Sequence, residues 1–86
     1  MTTATENQTT HVTSLRHKVA EIMHHYFANL HGEEPKNIYD FFLDEIEEPL
    51  LNVVMKQLRN NQSEAARALG LSRGTLRTKL KKFDLL

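Results

Sequence analysis

The chain has 86 residues, no cysteine, and 11 Lys+Arg set against 11 Asp+Glu. That length allows one small domain with a thin core, the missing thiols exclude disulfides, and no apolar run is long enough to cross a bilayer. A scaffold this small needs another staple, and pairing with a second copy is the one expected.

The neutral total hides a split. Up to Met55 there are three basic and nine acidic residues; from Lys56 onward there are eight basic and two acidic. A basic end of this kind suits a polyanion. In chain order, residues 1–13 carry Thr at six positions and no Gly or Pro, with Val12 the one strongly apolar side chain after Met1. They have no basic region or apolar core of a secretory signal and are expected to form a disordered N-terminal tail. Leu15, Val19, Ile22, Tyr26 and Leu30 then recur at steps of four and three, the stripe of an amphipathic helix. Ser14 is its expected cap and Gly32 its stop.

"HGEEPKN" reads as a turn, with Asn37 placed to cap the second helix, Ile38 to about Leu58. Ile38, Phe42, Ile46, Leu50 and Val53 trace its centre, flanked by Tyr39, Leu43, Leu51, Val54, Met55 and Leu58. A surface helix is not apolar over so much of its circumference. The expectation is a homodimer interface through Ile38, Phe42, Ile46, Leu50, Val53 and Val54. Pro49 lies inside this helix and cannot donate to the carbonyl of Glu45, so a kink or two abutting helices is expected there.

Two short helices follow. Asn61 caps the first, about Gln62 to Leu69, with Glu64 three residues on. Ala65, Ala66 and Leu69 face inward, and Gly70 ends it in the left-handed conformation. Ser72 caps the last helix, about Arg73 to Lys82, which buries Leu76, Leu80 and Phe83. A small residue at Ala66, a glycine at Gly70 and a basic, Thr-punctuated second helix make a helix-turn-helix. Arg73 and Arg77 lie on one shoulder of its buried stripe; Thr75, Lys79 and Lys82 lie on the other; Thr78 and Lys81 lie opposite the core. Arginine forks onto base edges, hydroxyls and lysines reach phosphates, and Gly74 leaves room for close approach. Double-stranded DNA is the expected partner.

"YFANLHG" (Tyr26 to Gly32), "EPLL" (Glu48 to Leu51), "NQSEAARALG" (Asn61 to Gly70) and "RGTLRTKLKK" (Arg73 to Lys82) together resemble the Fis family of bacterial nucleoid-associated, DNA-bending regulators. The last two segments also resemble the DNA-binding ends of NtrC-type activators; "EPLL" favours Fis. The resemblance implies an all-α subunit of four helices and an intertwined homodimer core built from the first two. Residues 14–60 would form that core and 61–86 the DNA-binding unit, in one domain overall. It implies closely spaced recognition helices that bend DNA, and residence in the bacterial cytoplasm on the nucleoid. Arg73 would meet a base edge. Asn61, Ser63, Ser72, Thr75, Arg77 and Lys79 would lie at the backbone and groove. Thr78 stands where a lysine is usual and Glu64 where a basic residue occurs, which implies fewer phosphate contacts. Arg59 and Gln62 correspond to a surface that touches RNA polymerase (its α subunit), although Asn60 stands where a glycine is usual. The tail lacks the pattern of the arm that touches a DNA recombinase, so no such contact is expected.

His17, His24 and His31 recur every seven residues, about 10 Å apart along a helix, too far to share one metal. Asp40, Asp44, Glu45, Glu47 and Glu48 have neither the spacing of a calcium loop nor the company of a catalytic group. No cofactor, metal or enzyme activity is expected. Two other readings stay open: a helical protein-interaction module whose basic hairpin binds an acidic partner, and a DNA-binding piece of an NtrC-type activator.

Overall fold

The computed structural model describes the backbone of residues 3–86 and the side chains from Ser14 onward. Among the described residues there are four helices and no strand: α1 (Thr3–Ala28), α2 (Ile38–Gln57), α3 (Gln62–Leu69) and α4 (Arg73–Lys82). They fall into two compact units, Met1–Lys36 and Asn37–Leu86. No described helix is long and apolar enough to cross a membrane.

In the first unit, α1 begins at Thr3, ahead of the expected cap at Ser14. Nothing between them breaks a helix, since no Gly or Pro intervenes. The expected tail over 1–13 falls on residues whose side chains lie outside the described ones. The helix ends at Ala28, where the Asn29 side-chain amide donates to the His25 carbonyl at 2.8 Å. Leu15 and Ile22 of its apolar stripe are exposed, as is Phe27 beside it, and no described side chain of this unit is buried.

In the second unit, α2 runs as one helix through Pro49, so the expectation of two abutting helices is not met. A single absent N–H is tolerated where the flanking turns are otherwise bonded. Asn37 occupies the N-cap position, but it adopts a left-handed backbone and its side chain makes no cap bond. A left-handed cap residue turns its side chain away from the free N–H groups that an extended one serves.

All buried side chains among the described residues belong to this unit: Leu51, Met55, Ala65, Ala66, Leu76 and Leu80. Val54, Leu58, Leu69, Phe83 and Leu85 pack around them. The expected division at residue 60 therefore does not separate packing units, because Leu51 and Met55 of α2 share one core with the helix-turn-helix. Val54, expected at a dimer surface, also leans into this core. Ile46, Leu50 and Val53, at steps of four and three, remain 44%, 48% and 57% exposed.

The ends of these helices are closed by local chemistry. Gly70 (φ 75°) donates to the Arg67 carbonyl and Leu71 to the Ala66 carbonyl at 2.9 Å, a Schellman closure that needs the left-handed conformation. The same pattern ends α2: Arg59 donates to Lys56 and Asn60 to Met55, with φ 55° at Arg59 and 61° at Asn60. The position where Fis-like chains usually carry glycine is thus a left-handed one, and asparagine is the side chain that tolerates it best after glycine. Asn60→Gly should stay within about 0.5 kcal/mol of the parent stability, whereas Asn60→Val should lose about 1–2 kcal/mol. Urea midpoints of the two variants check both values.

Candidate nucleic-acid interface

The start of α4 is fixed by its cap. The Ser72 hydroxyl oxygen accepts from the Thr75 N–H at 3.1 Å, and its own proton goes to Thr75 Oγ1 at 2.9 Å. Asn61 does the same for α3: its Oδ1 accepts from the Glu64 N–H at 3.1 Å, leaving the amide protons facing out. Ser63, in the first turn of α3, is exposed.

Arg73 opens α4 at the positive end of the helix dipole, where a cation costs about 0.3–1 kcal/mol. The first turn holds no acidic residue to offset it. Among the described residues Arg73 has no ion pair. Gly74 follows on the same turn, and a Cβ added there would meet nothing within 4 Å. The chain's own packing therefore does not ask for glycine, which costs about 0.5–1 kcal/mol relative to alanine within a helix. An unpaired arginine and an unneeded glycine at one helix end both suit close approach of an anion.

Arg77 Nη1 donates to Gln62 Oε1 at 3.3 Å. This bond ties the first residue of α3 to the middle of α4 and brings the Asn61–Ser63 turn beside the arginine shoulder. Arg77 keeps its other donors. Lys81 is exposed and has no ion pair among the described residues. Thr78 is placed differently: its hydroxyl donates back to the Gly74 carbonyl at 3.0 Å, so its proton is engaged within the helix.

Lys79 and Lys82, read from the sequence as phosphate contacts, are engaged by carboxylates of α2. Lys79 Nζ lies 2.8 Å from Glu47 Oε2 and Lys82 Nζ lies 2.7 Å from Asp44 Oδ1. The hydrogen bond to Asp44 raises the Lys82 pKa above its ordinary value, opposed by desolvation and aided by the charges of Asp44, Glu47 and Asp40. A raised lysine pKa stabilises the fold below the ordinary lysine range and is lost only as pH rises through the folded value, so this contribution is intact at neutrality. Lys82 Nζ also sits 5.4 Å from the centre of the Phe83 ring. Sequence reasoning misses the partnership of Asp44 and Glu47. Its available signal is spacing: the acids are three apart on α2 and the lysines three apart on α4. Arg59 lies in the left-handed turn after α2, and Gln62 is spent on Arg77.

Residues 42–83 match the family described as bacterial regulatory protein, Fis family. A DNA-binding protein Fis of Proteus mirabilis is 44% identical over 87 residues, 99% of this chain and 89% of that one. The chain belongs to the Fis family. A Yersinia enterocolitica protein of the same name matches to the same identity and coverage. A Pseudomonas aeruginosa protein named as Fis-like and DNA-binding is 48% identical over 73 residues, 85% of this chain and 70% of that one. Membership covers the Fis helix-turn-helix and almost all of the chain before it.

The cap at Ser72 sets the register of the basic face of this Fis-family chain. Ser72→Ala should cost about 1 kcal/mol of stability and Ser72→Gly only a few tenths, read from thermal or urea unfolding.

Proposed function

We propose that this chain is a bacterial nucleoid-associated transcriptional regulator that binds degenerate sites in duplex DNA as an intertwined homodimer and bends the DNA. The observation that carries DNA recognition is Arg73, an unpaired guanidinium kept at the unfavourable end of the recognition-helix dipole beside an exposed glycine. Guanine edges and phosphate are the ligands that repay such a placement. The relatives named as DNA-binding proteins support the same ligand.

Within this reading, Arg73 reads a base edge. Arg77, Thr75, Lys81, Asn61, Ser63 and Ser72 line the backbone and groove. The exposed stripe of Ile46, Leu50 and Val53, on the helix that also carries the half-buried Ile38 and Phe42, supports a second copy as its cover, since large exposed apolar side chains in series on a small chain are costly to leave in water. Arg59 and Gln62 form the surface for the RNA polymerase α subunit. Contact with a recombinase is not part of the proposal.

Recognition helices closer together than one helical turn cannot both meet a straight duplex, so bending becomes a condition of binding. Its cost depends on sequence between the half-sites.

Arg73→Ala should cost about 1–3 kcal/mol on a preferred duplex and much less on random DNA. Gel shifts on both duplexes test this, and equal losses would mean that Arg73 positions the protein without reading sequence. Replacing a central A·T tract with G·C, flanks unchanged, should weaken binding; unchanged affinity would remove the bend from the mechanism. Ile46→Asp should abolish the folded dimer, because a buried unpaired charge is costly. Sedimentation showing a folded monomer of the parent chain at micromolar concentration would overturn the dimer.

A further inference from the structure

We propose that Asp44 and Glu47 are positioning residues of the recognition helix: through Lys82 and Lys79 they set how α4 sits on α2, and these two lysines do not neutralise phosphate. This rests on the DNA-binding reading above and departs from the sequence expectation for both lysines.

The two pairs form a ladder. Lys79 meets Glu47 at 2.8 Å and Lys82 meets Asp44 at 2.7 Å. Three residues up α4 correspond to three residues down α2, so the rungs lie in register between segments running in opposite chain directions. Residues three apart share one face of a helix. One face of α4 is therefore aligned with one face of α2 at two successive points. The inner rung is sheltered, with 30% of the Lys79 side chain and 18% of the Glu47 side chain exposed. The outer rung is more open, at 55% and 38%.

A phosphate could take these lysines only by breaking the rungs. Each acid would then be left unpaired, and Glu47 would be left so in a sheltered position. An uncompensated carboxylate there is costly, and its charge would oppose the incoming polyanion. With the rungs intact, this side of α4 is electrically neutral. The three cations of α4 with no ion pair among the described residues, Arg73, Arg77 and Lys81, project from its other faces.

The ladder also explains what apolar packing leaves open. Leu76 and Leu80 fix the depth of α4 in the core but not its rotation about the contact, because leucine contacts have no direction. Two ion pairs at successive turns do have direction. They link the recognition helix to the helix that carries the exposed Ile46–Leu50–Val53 stripe. In a dimer joined through that stripe, the angle of α4 on α2 sets the distance between recognition helices.

The test swaps the charges across each rung. Full-length parent, Lys79→Glu, and the double variant Lys79→Glu with Glu47→Lys are titrated with one preferred duplex over a range of salt. A second set uses Lys82→Asp, alone and with Asp44→Lys, on the more exposed rung, where folding is least at risk. Melting curves accompany each. The single variants should bind more than about tenfold more weakly than the parent. Each exchanged pair should return to within about threefold of parent affinity, with the parent salt slope. A phosphate-binding role predicts the opposite. The exchanged pairs would then melt like the parent yet bind as poorly as the singles, and the slope would fall by about 0.9 for each phosphate no longer neutralised; that result overturns the proposal. Failure of the parent itself to bind any duplex would instead overturn DNA recognition, which keeps the two failures distinct.

Discussion

Ala65 and Ala66 place the backbone of α3 against its neighbours with almost no side-chain volume between, and both are buried. α3 packs on α2 on one side and on α4 on the other. Leu51 and Met55 reach in from α2, Leu76 and Leu80 from α4, and the six side chains form the one buried cluster of the described residues. A core this small has no slack. A methyl-sized change at Ala66 has nowhere to go without moving α3 away from α2, α4 or both. The Schellman closure at Gly70 and the cap at Ser72 then fix how the chain turns from the alanine contact to the leucine contact. That packing sets how deep α4 sits in the core.

α2 serves two surfaces, and its unusual apolar width comes from this. One edge, Leu51 and Met55 with Val54 beside them, is spent on the helix-turn-helix. The other, Ile46, Leu50 and Val53, stays exposed. A helix that serves two packing partners needs two apolar stripes, which is why its sequence reads as apolar over much of its circumference. Under the proposed dimer this makes α2 a shared beam between the partner chain and the recognition helix. No flexible joint separates those two roles within the second unit.

The helix-turn-helix is legible in the sequence because each constrained position there has a local cause. Asn61 and Ser72 cap, Gly70 takes the left-handed conformation, and the expected spans of α3 and α4 agree with those observed. The division of the α2 apolar surface is not legible. Periodicity assigns residues to a face but cannot say which neighbour covers it, so it puts Val54 outward and leaves Leu51 and Met55 on the flank. Asn37 misleads for a related reason: capping depends on backbone conformation as well as on residue type. Lys79 and Lys82 escape because ion pairs between helices far apart in sequence leave no local pattern. Both lysines are 32 or more positions from their partners.

Counted along the sequence, the acidic half and the basic half of the chain look independent, the basic end awaiting a polyanion. Geometry changes that. Two of the acids on α2 are consumed by two lysines of α4, so part of the charge split is resolved inside the second unit. On α4 the cations left over are three and sit where they are not otherwise needed: Arg73 against the helix dipole, Lys81 exposed, and Arg77 steadied by the neutral Gln62 amide, which orients the guanidinium without cancelling its charge. With two of its five cations paired to α2, that helix gains less affinity from counterion release. For a DNA-bending reading this matters, since selectivity must then come from how readily the duplex deforms to meet those few fixed groups. Fixed groups require a fixed helix, and the polar ladder on α2 supplies the direction that a core of leucines and alanines cannot.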